Sequence, residues 1–348
     1  MKIGGASYRS IWVNENGWSV QIFDQRKLPW QLDIVELKTA AEAATAIKDM
    51  WTRGAPLLAM TGAYGLALAM REDASDENLS RAYAMLLATR PTAVNLKWAL
   101  DRMKAGIEAY SETQRSEISY RLAGQLCDED SATNYTIGEH GLALIQQAYK
   151  NDTSRPINIL THCNAGWLAT VDYGTATAPI YRAHDAGIPV HVWVDETRPR
   201  NQGASLTAFE LAEHGVPHTV ISDNAGGLLM QQGKVDLCIV GADRVTKNGD
   251  VCNKIGTYLK ALAAHDNGVP FYVALPLSTF DPSLERGDQI HIEERSGEEV
   301  TSIEGLADNG GMARVKLTNS PAANPGFDIT PARLVSGYIT ENGVVTKL

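Results

Sequence analysis

One junction occurs three times in the second half of the chain and constrains its fold more than any other feature. The segments AHDAGIPV, AEHGVPHTV and AHDNGVPFYV each carry glycine, an apolar residue and proline between a helical stretch and an apolar run. Glycine can end a helix in the left-handed conformation, and proline two residues later prevents the helix from continuing. Three such junctions predict repeated αβ units and therefore a doubly wound parallel sheet. The pairs are Gly187 and Pro189, Gly215 and Pro217, and Gly268 and Pro270.

The apolar runs that alternate with helical segments predict the strands of this sheet. Amphipathic helical segments lie between the runs, as expected when crossover helices cover both faces of a parallel sheet. We therefore predict an α/β fold with a Rossmann-like catalytic domain over residues 129–348. The predicted strands cover residues 157–160, 190–194, 219–221, 237–240 and 271–275.

The first 128 residues have a different pattern, which predicts a small β element followed by helices. Two apolar runs flank NENG, whose Asn-Gly pair is typical of a β-hairpin turn. Thr39 and Glu42 have the spacing of a capping box, and Pro56 suits the first turn of a helix. The prediction is an N-terminal small-sheet and helical domain over residues 1–128. Further helices are predicted over residues 77–88, 92–110, 117–127 and 134–149.

Composition limits the class of partner and the compartment. The 348 residues carry a formal net charge of −10, which disfavours a broad nucleic-acid surface. The four cysteines include no C-x-x-C pair, and the N-terminus lacks the apolar core of a signal peptide. No run of 18 apolar residues occurs. We expect a reduced, cytoplasmic protein that binds neither nucleic acid nor membrane.

The loops after the predicted strands locate the ligand site. In an open parallel sheet, ligands bind outside the carboxyl ends of the strands. The loops at that end are THCNAG, DETRPRNQG, SDNAGG, GADRV with NKIGTY, and PLSTFD, and they are rich in polar residues and glycine. Neither a G-x-G-x-x-G fingerprint after the first strand nor a P-loop motif is present. A nicotinamide or nucleoside triphosphate cofactor is therefore disfavoured.

Three cationic residues at predicted helix starts indicate a phosphate site. Arg53 lies in RGAP, Arg90 precedes Pro-Thr at the next such start, and Lys254 lies in NKIGTY. Free N–H groups and the positive end of the helix dipole suit a phosphate at such positions. A single arginine near a helix start is more commonly a solvated or salt-bridged residue, and the repetition favours phosphate.

The adjacent pair His162 and Cys163 in THCNAG has three possible interpretations: a metal-ligand pair, a cysteine nucleophile with its base, or a thiol with an acid–base or electrostatic role. A metal is the weakest, because adjacent side chains on extended backbone point in opposite directions. His162 is also too near in sequence to face the thiol as its base. The third interpretation remains, beside the alternative of a small buried filler.

Asp243 in GADRV is the candidate partner of that thiol. It follows the apolar run LCIVG, where poor solvation would raise its pKa and let it donate a proton near neutrality. An ion pair with Arg244, or a helix cap, is an equally good alternative from the residues alone. Asp195 and Glu196 form a second acidic pair, for which we expect ion pairs with the adjacent Arg198 and Arg200.

The ordered set of motifs resembles the methylthioribose-1-phosphate isomerase family of methionine salvage, over nearly the full chain. That family is similar in fold to the regulatory subunits of translation initiation factor 2B and to archaeal ribose-1,5-bisphosphate isomerases. Seven motifs carry the resemblance, and the segment IEERSGEEV follows them in the sequence. The motifs, in order, are RGAP, RPTAVNL, THCNAG, DETRPRNQGA, GADRV, NKIGTY and PFYVALPLSTFD.

The resemblance implies an aldose–ketose isomerase that is a homodimer and uses no metal or nicotinamide cofactor. It implies that Asp243 is the acid–base residue and that Cys163 is the second catalytic group. Alternatives are an isomerase of 5-deoxyribose 1-phosphate or of both sugars, a ribose-1,5-bisphosphate isomerase, and a non-enzymatic regulatory subunit. The implied substrate-binding residues are Arg53, Gly54, Ala55, Arg90, Gln202, Asn253 and Lys254.

Overall fold

The chain begins with short antiparallel strands. The fold is described from a computed structural model, which covers residues 1–91 and 93–348. Strands β3 and β4 form the hairpin predicted around NENG, and β4 also pairs with β5. The strands are β1 (Lys2–Ile3), β2 (Ala6–Ser7), β3 (Ile11–Val13), β4 (Val20–Phe23) and β5 (Ile34–Leu37).

Five helices follow and build the first hydrophobic core. The predicted capping box is confirmed, since Glu42 N–H donates to the Thr39 hydroxyl and the Glu42 carboxylate accepts from Thr39 N–H. Residues 56–70 are all buried, because their helix is apolar on every side and is surrounded by the others. The predicted helix start at Thr92 lies outside the described residues. The helices are α1 (Ala40–Lys48), α2 (Ala55–Glu72), α3 (Asp76–Thr89), α4 (Val94–Glu108) and α5 (Glu112–Asn151).

The prediction of two separate helices over residues 117–127 and 134–149 is wrong, as helix α5 shows. They are parts of one helix of 40 residues. Its first half packs in the same core as α2, through Leu126 and Cys127, whereas Ile137 and Ile145 pack in the core beside the parallel sheet. Helix α5 therefore passes from one hydrophobic core to the other. The division of the chain into domains at residue 128 stays a prediction.

The second half of the chain alternates strands and helices as predicted. Each of the five predicted strands is present, with ends that differ by at most one residue. The helices are α6 (Ala178–Asp185), α7 (Ala208–His214), α8 (Ala225–Gln231), α9 (Thr257–Asp266) and α10 (Glu298–Thr301). The strands are β6 (Ile157–Thr161), β7 (Val190–Asp195), β8 (His218–Ile221), β9 (Leu237–Val240), β10 (Arg244–Thr246), β11 (Val251–Lys254), β12 (Phe271–Ala274), β13 (Phe280–Asp281), β14 (Ser302–Leu306), β15 (Met312–Lys316), β16 (Phe327–Thr330), β17 (Gly337–Thr340) and β18 (Gly343–Val345).

Seven of these strands form the main sheet, in the order β18-β17-β12-β9-β6-β7-β8. All neighbours are parallel except β17 and β18. Numbered along the chain, the six parallel strands have the order 3-2-1-4-5-6 of the doubly wound fold, which confirms the predicted class. The order reverses between β6 and β9, so the crevice for a ligand lies at the carboxyl ends of these two strands.

The repeated glycine–proline junctions produce this sheet as predicted. Gly187, Gly215 and Gly268 have φ angles of 77°, 78° and 67°, in the left-handed region. The carbonyl of the proline in each junction accepts a hydrogen bond from the neighbouring strand of the sheet. In the first junction, Pro189 O accepts from Ile157 N–H at 2.9 Å. The junctions therefore end the helices and place the next strand in register.

A smaller sheet, in the order β13-β10-β11-β16, packs beside the carboxyl end of the main sheet. The hairpin of β14 and β15 extends from it with exposed apolar side chains, among them Met312 and Val315. Among the described residues, no helix combines the length and apolarity that a bilayer crossing requires.

Candidate active site

One pocket, with a volume of about 70 Å³, lies at the switch point of the main sheet. The structure brings all nine predicted site residues to its wall, although they come from both halves of the chain. Their catalytic and binding roles remain predictions. The nine are Arg53, Gly54, Ala55, Arg90, Cys163, Gln202, Asp243, Asn253 and Lys254.

Cys163 follows β6 in an unusual backbone conformation. Its φ is 66°, in the left-handed region that few non-glycine residues adopt and that is enriched at functional sites. The Thr197 hydroxyl accepts from its N–H at 2.8 Å, and the Thr207 hydroxyl donates to its carbonyl at 2.7 Å. These bonds hold the backbone so that Sγ donates to Gln202 Oε1 at 3.7 Å. The side chain is therefore aimed and is more than a filler.

The charge state of Cys163 follows from its surroundings. Burial raises the pKa of its thiol, and the positive charges of Arg53 and Lys254 oppose that shift. The group therefore rests as a neutral thiol near neutrality, with two cations close enough to stabilise a thiolate if one forms.

Asp243 stands across the pocket, two residues beyond the Gly241 that follows β9. Its N–H donates to Cys252 O at 2.9 Å, which continues the pairing of β10 with β11. Burial raises the pKa of its carboxyl, while Lys254, Arg53 and Arg90 lower it. The neighbouring Arg244 lies 3.7 Å from Asp281 as an ion pair. The environment of Asp243 is that of an acid able to keep its proton closer to neutrality than an exposed aspartate.

The start of α2 approaches the 3-10 turn at Trp167–Ala169, which follows β6, so closely that Gly54 is required. Gly54 has a φ of 91°, and a Cβ there would lie 2.5 Å from both the carbonyl oxygen and the Cβ of Ala169. Ala55 is the first residue of α2, which has 18 residues and Pro56 in its first turn. The free N–H groups of this turn and the helix dipole face the pocket, as an anion requires.

The three predicted cations have different partners. Arg53 is buried, and its two terminal guanidinium nitrogens donate to Asn164. Nη1 donates to the side-chain amide oxygen, and Nη2 donates to the backbone carbonyl at 2.6 Å. Arg90 donates to Glu293 at 2.9 Å, while its buried Nε has no hydrogen-bond partner within residues 1–91 and 93–348. A buried guanidinium donor without an acceptor indicates a place where an anion binds.

Lys254 acts electrostatically on both proposed catalytic groups: its effect on the pKa of Asp243 is the largest of any cation, and its effect on the pKa of Cys163 is second to that of Arg53. Its ammonium donates to Gly326 O at 2.9 Å and lies 4.4 Å from the centre of the Phe327 ring. Burial lowers the pKa of Lys254, and the charges of Cys163 and Asp243 raise it. Its neighbour Asn253 is held by a 3.0 Å bond from Nδ2 to the Thr257 hydroxyl.

Glu210 is a buried carboxylate beneath the THCNAG turn and was not among the residues predicted from the sequence. It accepts four hydrogen bonds, from Asn164 Nδ2 at 2.9 Å, Leu168 N–H at 2.9 Å, Trp167 N–H at 3.0 Å and the Tyr181 hydroxyl at 3.0 Å. Because Asn164 Nδ2 faces Glu210, the amide oxygen must face Arg53. Glu210 thereby orients a residue of the pocket without reaching the pocket itself.

His162 points away from the pocket thiol into a buried polar network. Its Nδ1 is 2.8 Å from Asp195 Oδ2, and its Nε2 is 2.8 Å from the carbonyl of Ile255. With Asp223 these groups are spaced closely enough for a metal, but the Lys260 ammonium lies 3.1 Å from Asp195 and donates to Asp223 O. A cationic side chain therefore already neutralises the cluster.

The predicted ion pairs of Asp195 and Glu196 with Arg198 and Arg200 are wrong. The guanidinium of Arg198 donates to backbone carbonyls, including that of Val300 at 2.9 Å. Asp195 turns inward to Lys260, and Arg200 instead pairs with Glu299 at 2.9 Å. Side chains that are adjacent on a strand end point to opposite faces, so neighbours in sequence need not become ion-pair partners.

This chain is similar to known proteins in both sequence and structure. The model of the initiation factor 2 subunit family matches residues 51–347. Methylthioribose-1-phosphate isomerase of Paramagnetospirillum magneticum is 62% identical over 347 residues, covering 99% of this chain and 96% of that protein. The protein of the same name from Rhizobium meliloti is 59% identical over 350 residues, with the same coverage.

Two solved structures are similar over almost the whole length. The 5-methylthioribose 1-phosphate isomerase of Pyrococcus horikoshii has a TM-score of 0.82 and 40% identity, covering 97% of this chain and 92% of that one. A structure described as translation initiation factor eIF-2B, subunit delta, from A. fulgidus has a TM-score of 0.80 and 39% identity, covering 97% and 96%.

Proposed function

We propose that this chain, which belongs to the initiation factor 2 subunit family, isomerises 5-methylthioribose 1-phosphate to 5-methylthioribulose 1-phosphate in methionine salvage. The observation that carries the proposal is the pocket at the switch point, which places a thiol and a buried carboxyl among three cations. The high identity over 99% of the chain to proteins named for this reaction supports it.

The phosphate has a chemically suitable place in this pocket. The first turn of α2 offers free N–H groups, and the Arg90 Nε offers a buried donor without an acceptor among the described residues. Lys254 adds a positive charge to the wall of the same pocket. These groups would hold the ester at C1 and orient the sugar between the two proposed catalytic residues.

The reaction requires the ring to open first, because the 1-phosphate locks the sugar as a cyclic acetal. Asp243, whose pKa is raised by burial, would donate a proton to the ring oxygen as the bond from that oxygen to C1 breaks. The C2 hydroxyl then gives its proton to the Asp243 carboxylate as the C2 carbonyl forms, which restores the protonated acid, and a hydrogen is transferred from C2 to C1. The ketose keeps its phosphate, so the atoms balance without a redox partner.

The hydrogen can move from C2 to C1 by two routes that differ in the role of Cys163. In a proton route, the thiolate removes the C2 proton and the thiol returns a proton at C1. In a hydride route, Cys163 shapes the pocket and no thiolate forms. Substrate deuterated at C2 distinguishes them: loss of deuterium to solvent supports the proton route, and complete retention supports the hydride route.

The direct test is conversion of 5-methylthioribose 1-phosphate by the wild type and by Asp243→Asn and Cys163→Ser. We expect Asp243→Asn to lose at least 100-fold in kcat, a typical loss for an acid–base group, and Cys163→Ser to lose as much if the proton route operates. Cys127→Ser is the matched control, because Cys127 is a buried free cysteine in the helical core. An Asp243→Asn enzyme with full activity would refute the assignment, and an inactive wild type would refute the function.

A second candidate is 5-deoxyribose 1-phosphate, alone or as a further substrate. The two sugars differ at C5, and the pocket shares the wall residues Met50, Arg53 and Gln202 with a second, larger cavity. An apolar wall discriminates weakly between a methylthio group and a methyl group. Values of kcat/KM for both sugars, measured side by side, decide between the candidates.

We further propose a homodimer in the cytoplasm. The resemblance to the isomerase family supports the dimer, as do the exposed Leu228 on α8 and Leu259 on α9, two helices that pack on each other. Four free thiols support a reducing compartment. Light scattering on the wild type, with Leu259→Glu as the variant, tests the dimer: a mass of one chain in the wild type would contradict it.

A further inference from the structure

Met50 has a backbone conformation that favours glycine. It follows α1 with a φ of 59°, at the position where helices commonly end in a left-handed glycine. The flanking bonds are those of such an ending: Met50 N–H donates to Ile47 O at 3.4 Å and Trp51 N–H to Ala46 O at 2.9 Å. A long side chain at this position raises the conformational energy relative to glycine. Its presence therefore indicates a use for the side chain.

The Met50 side chain is buried, with 8% of its surface exposed, and lies between two cavities. One is the active-site pocket, and the other is a larger cavity of about 330 Å³. The cavities share three residues: Met50, Arg53 and Gln202. Arg53 and Gln202 are polar, so Met50 is the apolar part of the common wall.

The larger cavity has an apolar part that can receive a group from the active site, although most of its lining is polar or charged, as at Arg26, Arg200 and Arg314. Its apolar lining includes the buried side chains of Leu28 and Leu206 and the side chain of Trp30, which is 55% exposed. Arg90, Lys254 and the start of α2, which suit a phosphate, line the active-site pocket and are absent from the described lining of this cavity, whereas Arg53 lines both. A substrate held by its 1-phosphate would therefore direct its C5 end toward Met50.

We propose that Met50 contacts the 5-methylthio group of the substrate and determines the preference for that group over the methyl group of 5-deoxyribose 1-phosphate. The inference rests on the proposed function. A thioether is polarizable and flexible, so methionine packs well against apolar groups of irregular shape. The larger cavity then receives the methyl end of the substituent.

The test measures kcat/KM for 5-methylthioribose 1-phosphate and 5-deoxyribose 1-phosphate in the wild type and three variants. Met50→Gly removes the side chain and suits the positive φ, so folding is retained. Met50→Gln keeps the length but places an amide against the substituent. Met50→Leu keeps an apolar side chain of similar volume.

We expect the ratio of the two kcat/KM values, methylthio over deoxy, to fall about tenfold in Met50→Gly and Met50→Gln, a change typical of one lost apolar contact. In Met50→Leu it stays within threefold of the wild type. An unchanged ratio in a folded Met50→Gly or Met50→Gln enzyme overturns the proposal. A wild type that isomerises neither sugar refutes the proposed function instead, so the two failures are distinguishable.

Discussion

Replacing Glu210 by glutamine tests whether burial or hydrogen bonding controls the most connected carboxylate beneath the active site. Glu210 is fully buried and accepts from Asn164, Leu168, Trp167 and Tyr181. Four donors favour the ionised form, and removal from water opposes it. Burial is the larger effect, and it raises the pKa of Glu210 from 4.5 to about 7.

This raised pKa has a definite consequence for the free energy of unfolding. Between pH 4.5 and pH 7 the unfolded chain releases the proton of Glu210 while the folded protein still holds it, so stability falls as the pH rises. Above pH 7 both states are ionised and the loss is complete. A pKa difference from 4.5 to about 7 corresponds to about 3 kcal/mol.

The variant Glu210→Gln lacks this titration but loses an acceptor. If its amide oxygen keeps the bonds from Asn164 and Leu168, its amino group faces the Trp167 N–H, which is left without an acceptor. A buried donor in that state costs about 1–3 kcal/mol. At pH 5 we therefore expect the wild type to be more stable, with an advantage that shrinks by about 3 kcal/mol between pH 5 and pH 8.

Urea unfolding at pH 5, 6, 7 and 8 measures this difference, and effects of other ionisable groups cancel because both proteins share them. Glu213→Gln is the control, since Glu213 is exposed on the same helix, α7. We expect its stability to follow the wild type at every pH. An advantage of the wild type over Glu210→Gln that grows toward pH 8 would mean that the four donors outweigh burial, and the reasoning would be refuted.

Three further predictions concern the pocket. Gly54→Ala places a Cβ 2.5 Å from Ala169 at a φ of 91°, so urea unfolding should show a loss of at least about 2 kcal/mol. Lys254→Met removes a charge that lowers the pKa of Asp243, so the alkaline limb of the kcat profile should move to higher pH while KM rises at least tenfold; an unmoved limb would count against Asp243 as the proton donor. Cys163, whose thiol pKa is raised, should react with iodoacetamide at pH 7 more slowly than free cysteine, as peptide mass spectrometry would show; a faster reaction would indicate a thiolate.

The fold was predictable wherever local chemistry dictates the backbone. The Gly215 and Pro217 junction shows why: glycine is required by a φ of 78°, proline ends the helix, and strand β8 begins at the next residue. Such constraints act within a few residues and are visible in the sequence. The position of the pocket followed as well, because the carboxyl ends of β6 and β9 meet wherever the strand order reverses.

The continuity of α5 was not predictable, because its middle is polar and yet buried. Asp130 and Asn134 are one helical turn apart and both are buried, and Asn134 Nδ2 donates to Asp130 O at 2.9 Å. The Asp130 carboxylate accepts from Val171 N–H at 2.8 Å, a partner 41 residues away. An apolar periodicity cannot detect a helix face that is buried through distant hydrogen bonds.

Glu210 was not predicted from the sequence for a related reason. It lies four residues after the buried Leu206 and beside the buried Leu211, on the inward face of its segment. An acid at such a position conflicts with the hydrophobic pattern, and that conflict is itself a signal, since a buried carboxylate persists only with donors around it. The identity of those donors depends on the turn after β6, which the sequence of α7 does not contain.

The composition of the pocket shows that the predicted catalytic domain, residues 129–348, does not contain the whole site. Cys163 and Asp243 come from the sheet, whereas Arg53 and Arg90 come from the helical part of the chain. The contact between the parts is specific, because Arg53 donates to Asn164, the residue that Glu210 orients. Without Arg53, the oriented carbonyl and amide oxygens of Asn164 would face the pocket with no donor, and the pocket would lose a cation near the thiol. The helical part therefore contributes to the pocket as much as the sheet does, and both parts enclose the crevice at the carboxyl ends of β6 and β9.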